Sequence, residues 1–155
     1  MRVRNMAEQD LPAVEAISAA SPEAAQWGLS GYRMLLAEPT RGRVLVAEEE
    51  GAVVGFLCFR ILGAEGEVLN LAVLPSFRRR GAGSLMLEQA VGEISERGAN
   101  RVFLEVRKSN APAIRLYGQH GFSPAGSRPG YYQDPRDDAV VLARDLRAAS
   151  GAART

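Results

Sequence analysis

The sequence predicts an α/β (α+β) fold: a mixed, mostly antiparallel central sheet with one parallel strand pair, flanked by helices. Three features point there. Between positions 44 and 73, apolar strand-like runs follow one another across short polar or glycine-bearing turns, the pattern of an antiparallel meander. A long amphipathic stretch then separates the run ending at Val73 from Arg101–Val106, and a strand reached through a crossover helix lies parallel to its predecessor. A second helix signal and two closing strand-like segments complete the chain.

Taken in order, Val3 opens a short strand. Asp10-Leu11-Pro12 starts a helix whose Val14, Ile17 and Ala20 recur at helical spacing until Ser21-Pro22 stops it. Residues 23–28 read as a loop, and a helix from Ser30 to Ala37 follows, with Tyr32, Leu35 and Leu36 on one face and Pro39 closing it. Val44–Ala47 and Ala52–Arg60 flank the turn Glu48-Glu49-Glu50-Gly51 as a hairpin, and Glu67–Val73 completes the meander through Gly63 and Gly66. After Gly81 a helix places Gly83, Leu87, Ala90, Val91 and Ile94 at helical spacing and stops at Gly98. Arg101–Val106 is the parallel strand. Asn110 caps a helix from Ala111 to His120, Pro112 is tolerated in its first turn, and Gly121 ends it. Phe122–Ala125 and Ala139–Arg144 are the closing strands, with a loop at Ser127–Pro135 between them. Residues 1–146 are expected to form a single domain and 147–155 a disordered tail of small residues and arginine.

At 155 residues and 46% apolar content the chain is long enough to bury a core. Its 19 basic and 18 acidic residues leave a formal net charge of +1, so global charge favours neither nucleic acid nor an anionic membrane as partner. Cys58 is the only cysteine; it excludes an internal disulfide and reads as a small core residue, and no Cys/His cluster has metal-ligand spacing. No run approaches the roughly 18 apolar residues of a bilayer span. The N-terminus lacks a signal-peptide pattern, so a cytoplasmic location is expected.

The chemistry concentrates between Glu67 and Leu87. A buried strand runs into a basic, glycine-containing turn and then into a helix start. About four backbone N–H groups lack intrahelical partners at such a start, and the macrodipole adds roughly half a positive charge. Gly81 and Gly83 allow close approach to the backbone, while Arg78, Arg79 and Arg80 add full charges. This is an anion site suited to a pyrophosphate. Ligands favour the carboxyl ends of neighbouring parallel strands, which here means the space between Val73 and Val106.

The spacing Arg78-x-x-Gly81-x-Gly83 after Leu71-Ala72-Val73-x-Pro75 resembles the acetyl-coenzyme A signature of the GNAT superfamily of N-acetyltransferases. A second block, Leu104-Glu105-Val106-Arg107 and Asn110 through Tyr117 ending in Gly121-Phe122, is similar to that superfamily's second cofactor-side segment. Pro129-Gly130-Tyr131-Tyr132 followed by Asp138–Leu142 is most similar to the RimI-like branch, which acetylates the N-terminal amine of a small-subunit ribosomal protein. The resemblance implies a GNAT-like sheet with its parallel pair at the cofactor cleft, acetyl-CoA as cosubstrate and no metal. It implies that Leu71, Ala72 and Val73 pair their backbone with the pantetheine arm, and that Arg78, Arg79, Arg80, Gly81, Ala82, Gly83 and Ser84 take the pyrophosphate. It further implies Asn110 near the thiol end, Tyr117 as general acid for the departing thiolate and Glu105 as base.

The acceptor is expected to be a protein N-terminus. An α-amine, with a pKa near 7.7–8.0, needs less help to lose its proton than a lysine at about 10.4. Trp27, Tyr131 and Tyr132, read as loop aromatics, and Glu67 are candidate acceptor contacts. A lysine or small-amine acetyltransferase is one alternative, separated by acceptor loops rather than by fold; a non-catalytic acyl-CoA-binding module is another, against which the presence of both Glu105 and Tyr117 argues. His120, the only histidine, suits a role at a helix C-terminus.

Overall fold

The computed structural model describes residues 1–24, 31, 37 and 41–147. Trp27, the Tyr32, Leu35 and Leu36 face of the expected second helix, and the tail from position 148 lie outside the described residues. The seven strands are β1 (Arg2–Asn5), β2 (Gly42–Glu49), β3 (Ala52–Leu62), β4 (Glu65–Val73), β5 (Arg101–Arg107), β6 (Ser123–Gln133) and β7 (Arg136–Asp145). The helices are α1 (Leu11–Ala19), α2 (Ala82–Glu96) and α3 (Ala111–Gln119). The strands form one sheet in the order β1-β2-β3-β4-β5-β7-β6. Every pairing is antiparallel except β4 with β5, as the crossover through α2 requires. The β2–β3 turn narrows to Glu50 and Gly51, with φ of 53° and 81°, the two left-handed residues of a type I′ hairpin.

Both faces of the central strands are covered, which is why their sequences read as near-continuous apolar runs. On one face Met86, Leu87, Ala90 and Ile94 of α2 pack on Leu45, Leu57, Phe59, Val102 and Leu104. On the other, Leu11, Val14 and Ile17 of α1 pack on Val44, Val46, Phe56 and Cys58. Burial of this order contributes about 1.5–3 kcal/mol for each large apolar side chain. Cys58 is fully buried, and burial pushes its thiol pKa upward, so it is a core residue as expected. No helix among the described residues is long and apolar enough to cross a membrane.

Two expectations need correction. Gly66 is not a turn residue: β4 starts at Glu65, and Gly66 lies inside the strand, where a Cβ would come within 2.5 Å of Ile94 Cγ2. The glycine admits α2 onto the sheet. The loop at Ser127–Pro135 is mostly strand, because β6 and β7 continue pairing to Gln133 and Arg136. Its turn-forming residues sit in a bulge: the register passes from Arg128↔Ala139 to Tyr132↔Asp137, and Gly130 has φ of 61°. Pro129 has no N–H to leave unpaired, and Gly130 donates its own to Asp138 Oδ1 at 2.8 Å. Tyr131 and Tyr132 therefore stand on an edge strand instead of a loop.

A bulge also opens the centre of the sheet. Against β3, β4 pairs Val68 with Phe59 and then Asn70 with Cys58, leaving Leu69 as the extra residue. Against β5, pairing runs from Glu65↔Arg101 to Val68↔Leu104 and stops there. From Leu69 onward β4 bends away, so Leu69–Val73 and Glu105–Arg107 diverge as the two sides of a cleft.

Candidate active site

The cleft presents backbone as well as side chains. Leu74 N–H donates to Val54 O at 2.8 Å, so alternation commits Ala72 to β3 and turns the amides of Leu71 and Val73 toward the opening. Both groups are held by local side chains. Leu71 N–H donates to Asn70 Oδ1 at 3.0 Å, and Val73 O accepts from Arg78 Nε at 3.0 Å. An extended ligand with amide groups can replace these contacts as a short additional strand. Of the three residues expected to pair with it, Leu71 and Val73 face the cleft.

At the end of β4 a 3-10 turn, Pro75–Phe77, leads into Arg78, Arg79, Arg80 and the first turn of α2. Arg79 and Gly81 adopt φ of 65° and 89°, and these two left-handed residues redirect the chain into the helix. Leu85 N–H makes the first helical bond, to Gly81 O at 3.0 Å, which leaves the N–H groups of Ala82, Gly83 and Ser84 outside the ladder. A Cβ at Gly81 would meet nothing within 4 Å, so open space lies against that backbone. Gly83 differs: its Cβ would sit 3.1 Å from Leu116 Cδ2, so this glycine serves the packing of α2 on α3.

The three arginines are not equivalent. Arg78 also reaches Glu23 at 3.0 Å and Ser21 Oγ at 3.4 Å, tying β4 to the segment after α1. Arg80 lies 3.6 Å from Glu49 and stacks over Phe77. Arg79 has no partner among the described residues and is the arginine most open to an anion. Ser84 Oγ lies 3.0 Å from His120 Nε2, which places the histidine as a tie between α3 and the first turn of α2.

Glu105 and Tyr117 flank the cleft from opposite faces of the sheet. Leu104 and Val106 point into the α2-side core, so alternation turns Glu105 to the other face. Its side chain is 16% exposed and its carboxylate Oε1 meets Arg128 Nε at 3.0 Å. Tyr117 belongs to the α2-side core, edge-on to Phe122 with ring centroids 5.7 Å apart. Burial, with a smaller contribution from Tyr132, pushes the Tyr117 phenol pKa upward, so the hydroxyl is protonated at neutral pH. Burial and the Glu105 carboxylate push the Tyr132 phenol pKa upward as well. Asn110 caps α3 as expected, its Oδ1 accepting from Ala113 N–H at 3.3 Å. Its amide NH2 has no partner among the described residues and is available to a ligand.

On the acceptor side, the parallel register sets Glu67 opposite Phe103, so Glu67 and Glu105 share a face two residues apart. Glu67 is neutralised by Arg60 through Nε and Nη2 at 2.9 and 2.7 Å. Tyr131 and Tyr132 meet edge to face, with centroids 5.1 Å apart. Two residues absent from the sequence expectations hold this region. Arg107 stacks on Tyr132 at 4.3 Å and donates to Pro135 O at 2.7 Å, and Ser109 Oγ donates to Asp137 Oδ2 at 2.6 Å. The Ser109 hydrogen bond holds the Asp137 carboxyl below its ordinary pKa. Together these contacts pin the β6–β7 tip to the turn between β5 and α3. Arg107 stands two residues from Glu105 in the motif, yet only its partners' positions reveal its role.

An opened parallel pair with room for an extended arm, ending at a helix start suited to phosphate, is an arrangement that fits an N-acetyltransferase. Residues 5–122 match the Acetyltransferase (GNAT) family, and the chain belongs to it. It is similar to a Bacillus subtilis (strain 168) protein provisionally named ribosomal protein bS18-alanine N-acetyltransferase, 35% identical over 140 residues that span 90% of this chain and 92% of that protein. Among solved structures it resembles the ribosomal-protein-S18-alanine N-acetyltransferase of Escherichia coli, at 31% identity and a TM-score of 0.81 over 94% of this chain and 93% of that one. It shares its fold with yncA of Salmonella typhimurium, solved with its cofactor acetyl-CoA, at 24% identity and a TM-score of 0.80 over 94% of each chain.

Proposed function

We propose that this enzyme transfers acetyl from acetyl-CoA to the N-terminal α-amino group of a protein, with a ribosomal protein of the bS18 kind as the acceptor its relatives point to. The observation that carries the reading is the pair Glu105 and Tyr117, set on opposite faces of one opened strand pair. Bound acetyl-CoA supplies the activated acetyl group as a thioester. Leu71 and Val73 offer backbone partners to an extended arm, while Arg79 and the free N–H groups of Ala82, Gly83 and Ser84 offer a seat for phosphate. Glu105 removes the proton from the acceptor amine, directly or through one water, and the amine attacks without a covalent enzyme intermediate. Tyr117, kept protonated by burial, delivers a proton to the departing thiolate. A bacterial ribosomal acceptor also implies a cytoplasmic enzyme.

The reading is tested with Glu105→Gln and Tyr117→Phe. Each variant should bind acetyl-CoA like wild type and lose about 10²–10⁴-fold in turnover, the ordinary worth of a general acid or base. Wild-type turnover in both would leave the chain an acetyltransferase with another mechanism. Wild-type protein that binds acetyl-CoA and acetylates no amine would favour an acyl-CoA-binding module.

A further inference from the structure

Several arginine–carboxylate pairs hold this fold, and one of them sits on Glu105. Arg4 grips Asp10 with two nitrogens at 2.7 and 3.1 Å, and Arg60 grips Glu67 with two at 2.9 and 2.7 Å. Arg128 Nε meets Glu105 Oε1 at 3.0 Å, with the Arg128 side chain 58% exposed and that of Glu105 16% exposed. It reaches there from β6, across the whole width of β7, since Glu105 pairs with Val141 and Arg128 with Ala139. The Arg128 guanidinium carbon also lies 5.4 Å from the Tyr131 ring centroid, and Tyr131 is 48% exposed. An ion pair with a half-exposed arginine is a weak one, and an aromatic face offers the guanidinium a second resting place.

We propose that Arg128 is a resident cation on the acceptor-amine position of Glu105, displaced toward Tyr131 when a cationic N-terminus arrives, and so a specificity-determining residue of the acceptor site. The inference rests on the reading of Glu105 as base. The exchange trades one positive charge for another and leaves the charge of the site unchanged. A blocked, uncharged terminus has nothing to trade and meets a covered carboxylate. No proton or electron is transferred in this step, which involves ion-pair exchange alone.

Steady-state kinetics on a peptide with a free N-terminal amine tests it, with wild type, Arg128→Met and Arg128→Lys at low and high salt. Arg128→Met removes the competitor, so KM for the peptide should fall by about threefold or more at low salt, within the range open to an exposed ion pair. That fall should shrink as salt screens the newly uncovered carboxylate, and the change should be carried by KM more than by kcat. Arg128→Lys should restore the wild-type KM. In a Glu105→Gln background, Arg128→Met should leave KM where it is. A KM that is unchanged or raised in Arg128→Met, with Glu105→Gln impaired as expected, overturns the exchange and leaves the base assignment standing. Wild-type turnover in Glu105→Gln strikes the base assignment itself.

Discussion

Replacing Gly66 by alanine tests how α2 is seated over the strand pair that forms the cleft. In an open strand, alanine is favoured over glycine by roughly 0.5–1 kcal/mol, because glycine loses more backbone freedom on folding. Here a Cβ would lie 2.5 Å from Ile94 Cγ2, 3.0 Å from Cδ1 and 3.2 Å from Cγ1, all on a side chain with no exposed surface. Carbon atoms prefer separations of about 3.5–4.0 Å, so Ile94 or β4 must move by about 1 Å within a packed core. Overpacking of this kind costs about 1–3 kcal/mol, which reverses the intrinsic preference. Urea denaturation of Gly66→Ala should therefore show a loss of about that size, and a melting temperature lower by about 2–4 °C for each kcal/mol. Ile94→Ala alone should cost about 2–5 kcal/mol through its cavity. In that background Gly66→Ala should become neutral or stabilising. A Gly66→Ala protein as stable as wild type, or a loss that persists without the Ile94 side chain, would refute the packing explanation.

Asp10 accepts from Arg4 twice and from Ala7 N–H at 2.7 Å while almost fully buried, so Asp10→Ala should destabilise by about 2–3 kcal/mol in urea melts. The Arg4 hydrogen bond holds the Asp10 carboxyl below its ordinary pKa of 3.8, so the pair's stability is present above that pH and lost as pH falls through the lower folded-state value. The wild-type protein should show this acid loss and the variant should not. Because the acceptor arrives as a cation and gives its proton to Glu105, kcat/KM should fall as the free α-amine deprotonates near 7.7–8.0. Because burial raises the Tyr117 phenol pKa, its acid form persists to higher pH, and any falling limb it causes should lie above about 10. A falling limb centred below 10 that disappears in Tyr117→Phe would contradict that assignment.

Much of this arrangement is legible in local sequence because local physics decides it. The Glu50-Gly51 turn, the Asn110 cap and the left-handed Gly81 before α2 each follow from what a few neighbouring residues can adopt. The parallel pairing of β4 and β5 follows from the crossover. What stayed hidden depends on partners distant in the chain. The bulge at Leu69 is set by register against β3 and carries no turn signature, although it opens the cleft. The segment 127–135 is rich in turn formers, but pairing with β7 absorbs them into a bulged strand. Gly66 reads as a turn until Ile94 is seen over it. Arg128 and Arg107 look like ordinary surface arginines, and only the fold shows one on Glu105 and the other clamping the β6–β7 tip.

The most direct test of the proposed acceptor is a mass-spectrometric reading of where acetyl is placed. Wild-type enzyme and acetyl-CoA are incubated with a peptide that begins with a free alanine and contains an internal lysine, and with the same peptide blocked at its N-terminus. Acetyl should appear on the α-amine of the free peptide and be absent from the blocked one. Transfer to the lysine of the blocked peptide at a comparable rate would contradict an N-terminal acceptor.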